Sequence, residues 1–266
     1  MSANSLMNCR SVLMVLGNTF AIGARARREA KALATHGFRV QVLCWDRTAG
    51  RPRAERIDQC VVRNVRLGRT TLLPSSRSYY FIAALLFQVI IFLWVMKEIR
   101  RARALILCAH DFNVLLGCVV ARQLLKHRVR LVYDCHELTP GIYREWYGSI
   151  VSRIVGQLEF AVLDRVDAIV AANEAIRSYL QLASSVPAVV VYTCPAAEEV
   201  PTIESSDAKK KIGLDRLFVV LFTGTVRQDY DLDMILSVAR ELKQKSFPDF
   251  RFVFIGPPET TASVIN

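Results

Sequence analysis

The sequence contains no Cys-x-x-Cys pair. Its seven cysteines, Cys9, Cys44, Cys60, Cys108, Cys118, Cys135 and Cys194, are scattered, and several fall in apolar, strand-like runs, where a thiol behaves as a small hydrophobe. That speaks against a zinc site or a disulfide framework and points to a reducing compartment. No secretory signal is expected, because Val12–Leu16 is too short and runs into a glycine loop instead of a cleavage site. There is no nucleic-acid-binding motif, no internal repeat and no low-complexity tract. Acidic residues are scarce in the first part. Residues 1–110 hold 18 Lys and Arg against 5 Asp and Glu, whereas residues 111–266 hold 17 against 19. The overall charge of +11 therefore resides entirely in the first part. Such a surface suits phosphate or anionic lipid, or is simply solvated, and no nucleic-acid partner is expected.

Charge is missing altogether from Tyr79 to Met96, where Gln88 is the one strongly polar residue. As a helix this run would be about 27 Å long, close to the hydrocarbon thickness of about 30 Å. Basic residues flank it at Arg77, Lys97, Arg100, Arg101 and Arg103. Three readings are open, in this order: a helix lying in a membrane interface, a buried crossover helix, and a genuine span. The first implies peripheral or monotopic attachment through residues 79–96 at the cytoplasmic side of the cell membrane.

What the sequence does have is alternation. Apolar runs at Val12–Leu16, Arg39–Trp45, Cys60–Val65, Ala104–Cys108, Arg130–Tyr133, Ala168–Ala171 and Ala188–Tyr192 read as strands. Helical segments are expected at Ala24–His36, Val114–Lys126, Tyr143–Arg165 and Glu174–Leu182, and a basic loop at Arg47–Arg56. Strands alternating with helices predict an α/β fold with a doubly wound parallel sheet. The expected divisions are a first domain at residues 10–192, a linker at 193–206 around Pro195 and Pro201, and a second unit at 207–266. That second unit reads as the opening of another Rossmann-like domain, too short to close a doubly wound sheet. Its elements are Leu217–Phe222, Leu232–Lys245 and Phe250–Ile255.

Two strand ends carry chemistry. One apolar run leads into Ala109-His110-Asp111, the other into Asp134-Cys135-His136-Glu137. Ligands of open α/β sheets bind beyond the carboxyl ends of the strands, so His110, Asp111, His136 and Glu137 are candidate catalytic residues. The plainer alternative is that a histidine there caps a helix or bonds a loop.

The glycine loop ending at Gly23, the His110-Asp111 pair, Tyr133-Asp134-Cys135-His136-Glu137-Leu138 and Phe222-Thr223-Gly224-Thr225-Val226-Arg227 stand in the order seen in family 4 glycosyltransferases, which this chain resembles. The resemblance implies the GT-B fold, two Rossmann-like domains facing a cleft. It also implies transfer of a sugar from a UDP- or GDP-linked donor to a lipid-linked or polysaccharide acceptor, with retention and with neither cofactor nor metal. By resemblance, His136 contacts the transferred sugar, Gly23 and its loop approach the donor phosphate or the acceptor, and Gly224, Thr225 and Arg227 belong to the donor-binding loop. The chain departs from the family pattern at Thr225 and Tyr230-Asp231, where the family often has Arg and Lys-Gly. It also lacks the family's acidic donor-binding segment, so the chain alone is expected to be catalytically incomplete. Two competitors stand beside this reading: a non-catalytic, membrane-associated acceptor- or partner-binding module, and a GT-B sugar-nucleotide epimerase.

Overall fold

Strands built almost wholly of aliphatic residues need cover on both faces, and helices between them supply it. The computed structural model describes residues 11–20, 23–47, 50–67, 77–100, 105–125, 129–195, 200, 203–224, 232–245 and 249–256. In chain order these form β1 (Ser11–Leu16), α1 (Ala24–Thr35), β2 (Arg39–Trp45), β3 (Ala54–Ile57), β4 (Cys60–Val65), α2 (Arg77–Ile99), β5 (Leu105–His110), α3 (Phe112–Leu124) and β6 (Val129–Cys135). Then come α4 (Thr139–Tyr147), α5 (Ser149–Leu163), β7 (Ala168–Ala171), α6 (Glu174–Gln181), β8 (Ala188–Val190), α7 (Ser205–Lys211), β9 (Phe218–Thr223), α8 (Leu232–Gln244) and β10 (Phe250–Ile255). They fall into two units, Met1–Cys194 and Pro195–Asn266.

In the first unit one sheet runs β3-β4-β2-β1-β5-β6-β7-β8. All neighbours are parallel except β3 and β4. This is the doubly wound α/β sheet that the alternation predicts. The chain works outward from β1 to β4, then returns to lay β5 on the other side of β1. The crevice beyond β1 and β5 is therefore the topological switch point, where such sheets bind ligands. Period-2 alternation divides the core. Leu13 and Val15 face the same side as Leu107, Leu131 and Tyr133, under α2, α3, α5 and α6. Val12, Met14 and Leu16 face the other side, with Ala26 and Ala30 of α1. In the second unit β9 and β10 pair in parallel, and α8 is the connection between them.

Three local expectations change. The basic segment Arg47–Arg56 is not all loop, since β3 pairs antiparallel with β4 through Asp58 and Gln59. Both turn residues have positive φ, 48° and 68°, the signature of a type I′ hairpin, but without the glycine that announces one. The helix expected over Tyr143–Arg165 is two helices, broken at Gly148, whose φ is +85°. Further on, α7 begins at Ser205, inside the expected linker.

The charge-free run forms α2, whose window Ile82–Ile99 has a mean hydropathy of 2.1 and is long and apolar enough to cross a membrane by composition. It nevertheless connects β4 to β5 within a single sheet, and Ala83, Phe87, Ile91, Trp94, Val95 and Ile99 are buried in that sheet's core. A span would put the two strands on opposite sides of a bilayer, so that reading falls. Gln88 is used internally: its Nε2 donates to the Asn113 carbonyl at 2.7 Å, and its Oε1 accepts the Gly117 amide at 2.8 Å. The opposite side of α2 carries Ile82, Leu85, Leu86, Val89 and Leu93, all exposed.

Candidate active site

The register of the sheet assembles the site. Leu16 pairs with His110 and His110 with Asp134, so the tips of β1, β5 and β6 end level with one another. Asp134 is the centre, 1% exposed. Its Oδ2 lies 3.0 Å from His110 Nδ1 and 2.9 Å from His136 Nε2, and those two nitrogens are 3.2 Å apart. On the other side Arg25, from the first turn of α1, donates from Nη2 to Asp134 Oδ1 at 2.8 Å. Its Nε stands 3.0 Å from Glu29 Oε1, one turn further along the helix. Its Nη1 donates to the Val191 carbonyl and, at 3.2 Å, to Thr193 Oγ1.

Asp111 occupies the N-cap position of α3 but does not cap it. Its Oδ1 accepts the His136 backbone N–H at 3.0 Å, and its Oδ2 lies 3.5 Å from His136 Nδ1. To do this its backbone sits at φ 68°, ψ 163°, a region that glycine enters freely and other residues enter at a cost of roughly 1–3 kcal/mol. Strain of this kind collects at functional sites. The side chain at the N-cap position is thus turned onto the second strand tip instead of onto the helix.

Buried charges shift one another. Burial opposes ionisation of Asp134, yet hydrogen bonds from His110 and His136 override it and hold the carboxyl well below its ordinary 3.8. Burial also opposes protonation of His136, but the Asp134 hydrogen bond and the Asp111 charge raise it above 6.5. Glu29 is raised from 4.5 to about 8 by burial, with Asp134 as the neighbouring negative charge. Near neutral pH the crevice thus holds the Arg25 cation against ionised Asp134 and a protonated Glu29, and the two aspartates favour the charged form of His136. Beneath it, Glu159 of α5 is fully buried and accepts from Tyr133 Oη at 2.6 Å and Thr139 Oγ1 at 2.7 Å, fixing the back of β6.

Four residues singled out from the sequence, His110, Asp111, His136 and Glu137, lie at these two tips. Three of them converge around Asp134, while Glu137 stands exposed just beyond. Asp134, which stands in the same strand-end motif but is not among those four, is the centre of the cluster, and Arg25 and Glu29 complete it without a local sequence signal of their own. Gly23 opens α1 at its N-cap with no side-chain cap. A Cβ there would meet nothing nearer than 3.7 Å, so the protein's own packing does not demand glycine. Gly224 ends β9 in the second unit at φ +141° and donates its N–H to the Ile255 carbonyl at 2.9 Å. Thr225 and Arg227, like Tyr230-Asp231, lie outside the described residues.

The arrangement offers sugar hydroxyls an imidazole at a strand tip. It also offers a charged leaving group the Arg25 guanidinium and the uncapped start of α1. His110, Asp134 and His136 are in addition the set that could hold a metal ion, their ligand atoms lying within 4.8 Å of one another. Hydrogen bonds already close that triangle, and Arg25 supplies the positive charge beside it.

Comparison with known proteins bears on fold and family. The family described as "Glycosyl transferase 4-like domain" matches residues 20–196. No curated protein matches the chain in sequence. Among solved structures, sucrose-phosphate synthase from Thermosynechococcus elongatus superposes with a TM-score of 0.65 at 14% identity, over 93% of this chain and 70% of that one. The E. coli trehalose-6-phosphate structure bound with UDP-2-fluoro glucose gives 0.60 at 13% identity, over 92% and 64%. The catalytic domain of starch synthase IV from Arabidopsis thaliana, bound to ADP and acarbose, gives 0.59 at 11% identity, over 96% and 70%. The chain thus spans between 64% and 70% of the length of these neighbours.

Proposed function

Because the chain belongs to the glycosyl transferase 4-like family and has the fold of GT-B glycosyltransferases, we propose that it forms the acceptor side of a retaining transferase. The donor is a nucleotide-sugar, UDP- or GDP-linked, and the acceptor a carbohydrate, free or carried on a lipid. The observation that carries this reading is the convergence of His110, Asp111, Asp134, His136 and Arg25 at the switch point of the sheet. His136, aligned between two carboxylates, is the group that touches the transferred sugar. Asp134 and Asp111 fix the plane of its ring and hold its proton. Arg25 neutralises Asp134, so that the crevice does not repel an anionic diphosphate. Gly23 leaves room for the donor phosphates or the acceptor to approach the start of α1. Departure of the nucleotide needs no metal, since cations and backbone N–H groups can meet the developing charge.

The test is to incubate the protein with a panel of UDP-, GDP- and ADP-sugars, with and without oligosaccharide and lipid-linked acceptors. Nucleotide release and the anomeric configuration of the product are measured, with and without EDTA. Acceptor-dependent release with retention, indifferent to EDTA, is expected. Saturable donor binding without turnover would make this a binding module. Activity lost to EDTA and restored by a divalent cation would instead make His110, Asp134 and His136 a metal centre.

A further inference from the structure

Three helices on one face of the first sheet turn an aliphatic surface outward. Their inner sides share one core, to which Phe87 of α2, Leu115 of α3 and Val155 of α5 all belong. α2 packs along α3, and α3 touches α5. Their outer sides carry Leu85, Val89 and Leu93 on α2, Leu124 on α3, and Ile150 and Ile154 on α5, each between 52% and 77% exposed. Spacings of four residues stack these side chains in lines along α2 and α5. A helix apolar all round belongs in a core or in lipid, and α2 has only half of itself in the core.

The charges on this face have one sign. Among the described residues of the three helices, the exposed charged side chains are Lys97 and Arg153; exposed Arg100 follows α2 directly, and exposed Asp164 and Arg165 follow α5, where Asp164 accepts from Ser184 Oγ at 2.6 Å. The glutamates of the same helices are turned inward. Glu98 is 3% exposed and accepts from Gln41 Nε2 at 3.0 Å, and Glu159 is 0% exposed. A second copy of the chain placed here would set cation against cation with no acid to answer it. An aliphatic plane bordered by cations fits the surface of a leaflet that contains anionic lipid.

We infer that the outer face of α2, α3 and α5 lies on such a leaflet, with the helices parallel to its plane. The aliphatic side chains sit at the headgroup–acyl boundary, and Lys97, Arg100 and Arg153 meet the lipid phosphates. The site at the strand tips lies at the carboxyl ends of β1, β5 and β6, off this face. The inference stands whether or not the chain transfers sugar, and its test does not read activity.

The full protein is floated with vesicles of phosphatidylcholine, with and without phosphatidylglycerol, at low and high salt. Flotation only with phosphatidylglycerol, weakened by salt, is expected. Leu85→Gln and Leu93→Gln should each lower partitioning about tenfold, and Lys97→Gln and Arg100→Gln each about fivefold. The unfolding midpoint should stay put, because these side chains already face water. If the α2 variants misfold, Leu124→Gln and Ile154→Gln test the same plane from the other helices. Wild-type protein that stays unbound on anionic vesicles at low salt overturns the inference. So does a stable dimer that Leu85→Gln dissociates while vesicle binding is absent, which would make the face an interface between copies.

Discussion

Arg25 grips both oxygens of Asp134, with Nη2 at 2.8 Å from Oδ1 and Nε at 3.4 Å from Oδ2. The two residues are 109 positions apart in sequence and almost entirely shut off from water. The pair ties the first turn of α1 to the tip of β6, and through Val191 and Thr193 to the segment that leaves the first unit. Arg25→Met would strand a buried carboxylate and should cost about 3–5 kcal/mol, read from urea unfolding. Adding Asp134→Asn should recover part of that loss. Strictly additive losses in the double variant would mean that the two groups are not coupled.

His136 and His110 should separate by function. His136→Ala should lower turnover on the order of 100-fold with the smaller loss of stability, because its ring is partly exposed. His110, 2% exposed and bonded to Asp134, should show the milder kinetic effect and the larger stability loss. Single-turnover assays beside thermal melts decide this, and unchanged kinetics in folded His136→Ala would refute its assigned role.

The pH dependence of stability has a definite sign. Glu29 is raised from 4.5 to about 8 when folded, so its contribution is fully present below 4.5 and is lost as pH rises toward 8. His136, raised above 6.5, acts in the same direction: its contribution is present below 6.5 and fades above it. Asp134 is depressed below 3.8, so its contribution is present above that value and is lost as pH falls beneath it. Denaturation midpoints should therefore drift downward between about pH 4.5 and 8, and Glu29→Gln should flatten the drift. An unaltered slope in that variant would exclude Glu29 as its source.

Gly117 tests how α2 and α3 are locked. A Cβ there would stand 2.9 Å from the Gln88 carbonyl oxygen, a backbone atom that cannot swing aside. Gly117→Ala should cost about 1–3 kcal/mol by forcing the helices apart, seen as a lower thermal midpoint. An unchanged midpoint would show that the pair yields at no cost.

Much of this fold is legible in the chain because its strands are buried on both sides. Arg39–Trp45 and Phe250–Ile255 match their strands residue for residue, since apolar residues dominate both runs and one polar side chain within each, Gln41 and Arg251, leaves the pattern readable. β3 escapes notice because its turn, Asp58-Gln59, adopts left-handed backbone without a glycine. The break at Gly148 escapes because the apolar period runs across it unbroken. His110, Asp111 and His136 are visible as polar residues ending apolar runs. Asp134 opens the same strand-end motif, but its central place is not visible there, and Arg25 and Glu29 look like the solvent face of an amphipathic helix. Only the sheet register, which brings the tips of β1, β5 and β6 level, reveals that these charges face inward.

Asp111 imposes a conflict on anyone who would engineer this protein. Its backbone geometry asks for glycine, while its contacts with His136 ask for a carboxylate. A redesign guided by backbone preference alone will write glycine there and report a gain. The resulting protein would be sturdier at rest but would leave the His136 ring held by Asp134 alone. Position 111 is therefore one to hold fixed while the rest of the scaffold is improved.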